Sequence, residues 1–250
     1  MRLLRSLLFV VWLYGLMAVL GLVCLPTLLL PYRFTLSLIR VYTRLMLFGL
    51  RWICGIKVVL RGRDRIPAGP LIIAAKHQSM LDVFIPFLIF DKPVIVMKRE
   101  LFWYPVLGWY AKKIRVLGID RKAGTRAMRS MLRHAETEVL GAKRQLLIYP
   151  EGTRTRPGAT VQYKPAGIRA YYKALALPVL PLATNAGLCW PARGIVRSPG
   201  TIVYEVLPPI DAGLEPKTLV ERLERELEAA CNTLLKDMPE DRALHSRAAA

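Results

Sequence analysis

Residues 6–32, SLLFVVWLYGLMAVLGLVCLPTLLLPY, run for 27 positions without a charged side chain. About 20 apolar residues are enough to span the hydrocarbon core of a bilayer, so the front of the chain is committed to an apolar environment. A cleaved signal peptide would carry a shorter apolar core and a small-residue cleavage site, and GLVCLPT supplies neither clearly; the run reads as a retained membrane segment. Residues 34–56, FTLSLIRVYTRLMLFGLRWICGI, differ. Arg40, Arg44 and Arg51 recur at helical spacing among Leu, Ile, Phe and Trp, which predicts an amphipathic helix with a basic stripe lying in a membrane surface. Residues 1–60 carry seven Arg or Lys and no acid, with basic groups on both sides of the apolar run. Loop charge therefore selects no single-span orientation, and a hairpin or half-buried anchor with both ends cytoplasmic fits as well as a span.

The whole chain has 37 Lys and Arg against 18 Asp and Glu, a net charge of +19. Such a balance suits nucleic acid, anionic lipid or a polyanionic carrier. Beside an apolar anchor the simplest partner is the anionic headgroup, at roughly 1 kcal/mol per basic residue near the surface. Zinc-finger spacing, an RNP-like aromatic strand and a basic arm are missing from the sequence, so no nucleic-acid partner is expected. The four cysteines, Cys24, Cys54, Cys189 and Cys231, are far apart in apolar surroundings and read as buried free thiols of a reducing compartment.

Past residue 56 the pattern changes. Short apolar runs at 57–62, 71–75, 93–97, 145–150, 178–184 and 201–207 alternate with helical patterns near 80–90, 124–140 and 166–176, and a last helix is expected over 217–235. This alternation predicts an α/β domain whose mostly parallel sheet is covered by helices on both faces. The expected organisation is an N-terminal membrane-associated helical anchor over 1–56, the α/β domain over 57–240 and a disordered tail over 241–250.

One of the three histidines, His77, follows the run LIIAA, and Asp82 stands five positions later in HQSMLD. Five residues turn a helix by about 500 degrees, so the two side chains can meet only if the chain bends between them. A strand ending near Ala75, a turn holding His77 and a helix capped by Ser79 and Asp82 provides that bend. Asp82 would then accept the Nδ1 proton and leave Nε2 as a general base; the alternative is that Asp82 only caps and His77 is incidental. A second constellation, IYPEGTRTRPG at 148–158, again ends an apolar strand. Glu151, a flexible Gly152 and Arg154 can present a guanidinium to a phosphate, unless the segment is a solvated surface turn. Arg121, in VLGIDRKAGTR, and the proline-bracketed strand LPVLPLA, 177–183, read as an exposed basic loop and a pocket wall when taken singly. The sequence holds no G-x-S-x-G, P-loop, Rossmann glycine fingerprint or metal-ligand cluster, so the chemistry is expected to need no cofactor and no metal.

Taken together, the four blocks resemble the glycerophospholipid acyltransferase family. HQSMLD matches its H-x-x-x-x-D motif, residues 151–154 its E-G-T-R, GIDR its F-I-D-R-like block and LPVLPLA its proline-bracketed block, in order across 57–207. The chain departs from the commonest forms at Lys76, where Asn is usual, at Gly118, where Phe is usual, and at YKPAG, 163–167, which resembles F-K-x-G-A. The resemblance implies acyl transfer to the 2-hydroxyl of lysophosphatidate, giving phosphatidate for phospholipid synthesis. The donor would be acyl-CoA or acyl-carrier protein. It implies His77 and Asp82 as catalytic and Arg121, Glu151, Gly152, Thr153, Arg154 and Lys164 as substrate-binding; the backbone amides at the helix start near Ser79 are candidate oxyanion donors on general grounds. With the anchor at the front of the chain and a cytosolic thioester donor, the enzyme is expected at the inner (cytoplasmic) membrane with the catalytic domain on the cytosolic face, and the basic charge beside the anchor is expected to meet anionic lipids. Two rivals are an acyltransferase for another lysolipid, such as lyso-ornithine lipid, and a non-enzymatic basic membrane-surface module.

Overall fold

The structure, a computed structural model, describes residues 1–119, 124–159 and 162–237. Arg121 and the tail expected over 241–250 lie outside the described residues. Seven strands, β1 (Ile56–Arg61), β2 (Leu71–Ala75), β3 (Pro93–Lys98), β4 (Leu117–Ile119), β5 (Gln145–Ile148), β6 (Val179–Thr184) and β7 (Gly200–Val206), line up in the order β1-β7-β6-β2-β5-β3-β4. Every neighbouring pair is parallel except β6 with β7, which is antiparallel. β2 sits in the middle, with Ile72 opposite Leu146 of β5 on one side and Val179 of β6 on the other.

The unbroken apolar run of β2 follows from cover on both faces. Successive side chains point to opposite sides, so Leu71, Ile73 and Ala75 enter one buried cluster while Ile72 and Ala74 enter another. The second cluster is closed by α5 (Gly124–Ala135), α6 (Pro165–Leu175) and α7 (Pro216–Lys236), through residues such as Ala135, Ile168 and Leu223. The first is closed by α1 (Arg2–Val23) and α2 (Tyr32–Cys54), which bring in Phe9, Leu13, Leu36, Met46 and Leu50. The N-terminal segment thus shares one core with the sheet rather than standing apart from it.

α1 and α2 form an antiparallel hairpin. Trp12 donates its indole N–H to the Leu45 carbonyl at 3.1 Å and lies over Gly49, where an added β-carbon would stand 2.3 Å from the indole nitrogen. α1 is long and apolar enough to cross a membrane, and its outer side leaves Leu4, Leu8, Val11 and Val19 exposed. The uncharged run is broken after Val23 by a 3₁₀ turn, Leu25–Leu28, with Pro26 in its first turn. At the far end of α2, Gly55 adopts φ +70°, a left-handed conformation that lets β1 start at the next residue. The expected basic stripe is split: Arg40 donates to the carbonyls of Phe87 and Asp91, while Arg44 and Arg51 remain exposed.

The helix expected over 80–90 is replaced by a 3₁₀ turn, Leu81–Val83, and a single helical turn, α3 (Pro86–Ile89). Pro86 has no N–H to give to the Asp82 carbonyl, so a continuous helix cannot form there. The short β4 and α4 (Leu107–Lys113) were not foreseen, since three strand residues carry too little pattern to be read.

Candidate active site

His77 lies just past the carboxyl end of β2, between the carboxyl ends of β5 and β6, where parallel strands open a crevice. The chain turns irregularly from residue 76 to 80, and this bend brings Asp82 Oδ2 to 3.1 Å from His77 Nδ1. With Nδ1–H donating to the carboxylate, the free lone pair is on Nε2. No described residue hydrogen-bonds Nε2.

Four donors converge on the buried Asp82 carboxylate. Oδ2 accepts from His77 Nδ1 and from the amides of Gln78 at 2.6 Å and Ser79 at 2.7 Å; Oδ1 accepts from the Tyr204 hydroxyl at 2.6 Å. The Ser79 amide contact is the reach-back half of the capping box read from the sequence. It also corrects an expectation, because the Gln78 and Ser79 amides are already committed to Asp82 and do not point at an oxyanion. The Asp82 carbonyl left open by Pro86 accepts the Tyr149 hydroxyl at 2.9 Å, and the Tyr149 ring stacks on the imidazole at 4.1 Å and 22°. Burial, with the Asp82 charge adding, pushes the Tyr149 and Tyr204 phenols well above their ordinary range, so both stay neutral donors.

Behind His77 is a second network. Glu151, fully buried, accepts the His77 amide on Oε2 at 2.8 Å and the Thr155 hydroxyl on Oε1 at 2.7 Å. Thr155 in turn donates its amide to the His77 carbonyl at 2.7 Å. The loop after β5 therefore holds the backbone of His77 on both its N–H and its C=O. Expected as a substrate contact, Glu151 sits behind the imidazole with its oxygens engaged inside the protein. Lys76, the residue in place of the usual Asn, is buried between two carboxylates, with Nζ 2.6 Å from Glu151 Oε1 and 2.7 Å from Glu228 Oε1 of α7. Burial opposes its charge, but the Glu151 and Glu228 carboxylates outweigh that and hold its pKa above the ordinary lysine value.

Thr153, Arg154 and Lys164 are exposed at the rim. Gly152 adopts φ +65°, and a β-carbon there would meet Lys164 Cδ at 3.1 Å, so the lysine stem lies across the glycine. The Lys164 amide is held by the Pro150 carbonyl at 2.8 Å. The glycine at 118 is also accounted for: a β-carbon there would stand 2.8 Å from the Phe102 ring, which fills the space a side chain would need. Tyr149, Thr155, Tyr163, Tyr204 and Glu228 were missed from sequence. Tyr149, just past β5, and Tyr204, within β7, sit in apolar runs, where a lone hydroxyl is the only sign that a partner is needed.

Residues 57–185 match the acyltransferase family model. A 1-acyl-sn-glycerol-3-phosphate acyltransferase of Pseudomonas aeruginosa is 33% identical over 198 residues, 79% of this chain and 75% of that protein. The 1-acyl-sn-glycerol-3-phosphate acyltransferase alpha of Mus musculus is 30% identical over 178 residues, 69% of this chain and 62% of that protein. Among solved structures, the 1-acyl-sn-glycerophosphate acyltransferase PlsC of Thermotoga maritima has the same fold, with a TM-score of 0.79 at 22% identity over 96% of this chain and 100% of that one.

Proposed function

The chain belongs to the acyltransferase family, and from that premise we propose that it acylates the 2-hydroxyl of 1-acyl-glycerol-3-phosphate, using acyl-CoA or acyl-carrier protein, to form phosphatidate. The observation that carries the reading is the His77 imidazole, tied through Nδ1 to Asp82 with its Nε2 edge unclaimed at the crevice. Nε2 takes the proton of the glycerol hydroxyl as its oxygen attacks the thioester carbonyl. The tetrahedral intermediate collapses by breaking the carbon–sulfur bond, and the departing thiolate recovers that proton from the imidazolium. Asp82 favours the imidazolium formed in between, and Tyr204 and two amides keep its carboxylate in place. The acceptor phosphate lies against Arg154 and Lys164 at the rim, and the family's GIDR block assigns Arg121 to the same phosphate. Glu151, Gly152 and Thr153 shape that loop, with Glu151 holding the His77 backbone.

The membrane is engaged along the outer side of α1. Its inner side is packed on α2, whose own inner side closes the core of the sheet, so lipid can wet α1 on one side only. A helix so placed lies in the surface of the bilayer rather than crossing it. Trp103 and Trp52, 84% and 69% exposed, belong to segments held at its two ends: Tyr110 donates to the Gly21 carbonyl, and Arg5 to that of Ile53. Tryptophan at such positions suits the headgroup level. Arg44 and Arg51 add attraction to anionic lipid, at the cytosolic face of the inner membrane where the thioester donors are made. The test is acyl transfer by purified protein from labelled acyl-CoA and acyl-carrier protein to lysophosphatidate. His77→Ala is expected to lose about 10²- to 10⁴-fold in turnover while staying folded; wild-type turnover in that variant refutes the reading.

A further inference from the structure

Lys76 is a buried cation one residue before the proposed base, and among the described residues the carboxylates on it come from two different parts of the fold. Glu151 reaches it from the loop after β5 and Glu228 from α7, 43 positions beyond the last residue of the matched family region, 185. Glu228 is fixed in turn by the Tyr163 hydroxyl at 2.9 Å, and the Tyr163 ring lies 5.7 Å from the lysine nitrogen. The thiol of Cys231, one helical turn on from Glu228, faces the same charges, and burial pushes it up to about 12, so it remains a neutral neighbour. Burial likewise raises the Tyr163 phenol above its ordinary range. Tyr163 and Cys231 are neutral, which leaves one ammonium between two carboxylates, one of them fully buried and hydrogen-bonded to the His77 amide.

We propose that Lys76 is a positioning residue for His77: it supplies the charge that keeps Glu151 an anion behind the His77 backbone, and Glu228 of α7 sets where that charge stands. The inference rests on His77 being the base. The chain of contacts runs Tyr163, Glu228, Lys76, Glu151, His77 N–H, so the C-terminal helix bears on the imidazole without touching it. Without the lysine, Glu151 has no compensating charge in a dry site and takes up a proton, as isolated buried carboxylates do. As an acid it carries the proton on Oε1, where Lys76 and the Thr155 hydroxyl met it, so Thr155 can no longer donate there and the bond from the His77 amide to Oε2 loses its charge assistance.

The test measures kcat and the pH profile of kcat/KM for wild type, Lys76→Met, Glu151→Gln, the double variant and Glu228→Gln, with thermal unfolding alongside. Lys76→Met is expected to lose about a hundred-fold in kcat, as small misplacements of a reacting group do, and its acid limb is expected to move up by roughly one pH unit or more. In the Glu151→Gln background the same change should alter kcat by no more than about two-fold, because its route of action is gone, and the acid limb should return to that of the wild type. Glu228→Gln leaves Lys76 charged, so it should lower kcat several-fold without moving the limb. An unmoved acid limb in Lys76→Met overturns the inference, and so does a further large loss on adding Lys76→Met to Glu151→Gln. If Lys76→Met alone does not fold, the comparison of Glu151→Gln with the double variant decides, since that pair of neutral side chains leaves neither a lysine nor a Glu151 carboxylate without its partner. His77→Ala separates the two readings: an active His77→Ala removes the base and this inference with it, whereas an inactive one alongside an unmoved Lys76→Met profile removes this inference alone.

Discussion

Asp82→Asn isolates the charge of the carboxylate from its geometry. The two oxygens of Asp82 are used unequally, Oδ2 by three donors and Oδ1 by the Tyr204 hydroxyl alone. An asparagine therefore has one good placement, with its carbonyl oxygen at the Oδ2 position and its NH₂ toward Tyr204, whose hydroxyl can turn to accept. Alanine would instead strand the Gln78 and Ser79 amides, and its effect would mix folding with catalysis. At the 3.1 Å separation of Nδ1 and Oδ2, with an effective dielectric of about 20, an imidazolium and a carboxylate attract by about 5 kcal/mol. If the proton has fully reached His77 in the transition state, that loss is about 10⁴-fold in kcat; if half-transferred, about 10²-fold. Charge-assisted hydrogen bonds to three donors become neutral ones, which costs about 1 to 3 kcal/mol of stability, and each kcal/mol lowers Tm by roughly 2 to 4 °C in a chain of this size. The assay is turnover at saturating lysophosphatidate and acyl donor, with Tm and the acceptor KM measured on the same preparation. A folded Asp82→Asn that turns over within ten-fold of the wild type would show that the carboxylate does not stabilise a charged imidazole, and the base mechanism would have to be abandoned.

Arg154→Lys and Arg121→Lys are expected to raise the acceptor KM more than the donor KM, because an ammonium does not reproduce the two-pronged guanidinium contact with a phosphate; saturation kinetics against each substrate separates the two, and equal rises count against phosphate recognition. Tyr149, Tyr163 and Tyr204 keep their protons in the folded protein above pH 10, the ordinary tyrosine value, while the unfolded chain loses them. Stability is therefore unaffected by these groups below pH 10 and falls above it, by about 1.4 kcal/mol per pH unit for each phenol, and thermal melts of Tyr163→Phe should show a shallower alkaline decline than the wild type. Replacing Trp52 and Trp103 together by Ser should weaken sedimentation with vesicles of anionic lipid at constant salt without changing turnover on a short-chain, soluble acceptor; unchanged sedimentation would remove these residues from the membrane-facing surface.

The sheet was legible because β2, β3, β5, β6 and β7 are apolar on both faces, and such runs stand out from the amphipathic helices between them. Membership of the acyltransferase family was legible for a different reason: the four blocks keep their order. The bend between His77 and Asp82 could be deduced from spacing alone, since a straight helix forbids the contact that the structure contains. The break at Pro86 could have been read from the missing N–H, and the sequence pattern of 80–90 masked it. What could not be read is long-range. Glu228 looks like one more acid on the polar side of α7, and only the packing of that helix beside Tyr163 reveals that it faces a buried lysine 152 positions earlier. Likewise Arg40 looked like its neighbours in the basic stripe until α3 and the turn after it placed the carbonyls of Phe87 and Asp91 against it.

The position of β1 sets a timetable for the making of the molecule. β1 lies at the edge of the sheet with β7 as its one neighbour, and that neighbour begins at Gly200, 139 positions after β1 ends at Arg61. At a synthesis rate of about 5 to 20 residues per second, β1 waits roughly 7 to 28 s on the ribosome before its partner exists. Hairpin and helix formation take microseconds, so α1 and α2 are complete for nearly all of that interval while the sheet that the apolar side of α2 covers is still incomplete. A lipid surface is the one partner available from the start, and the exposed leucines of α1 are suited to it. Synthesised without membranes, the nascent chain should accumulate as aggregate in proportion to the length of that wait, and vesicles added during translation should rescue it where vesicles added afterwards do not.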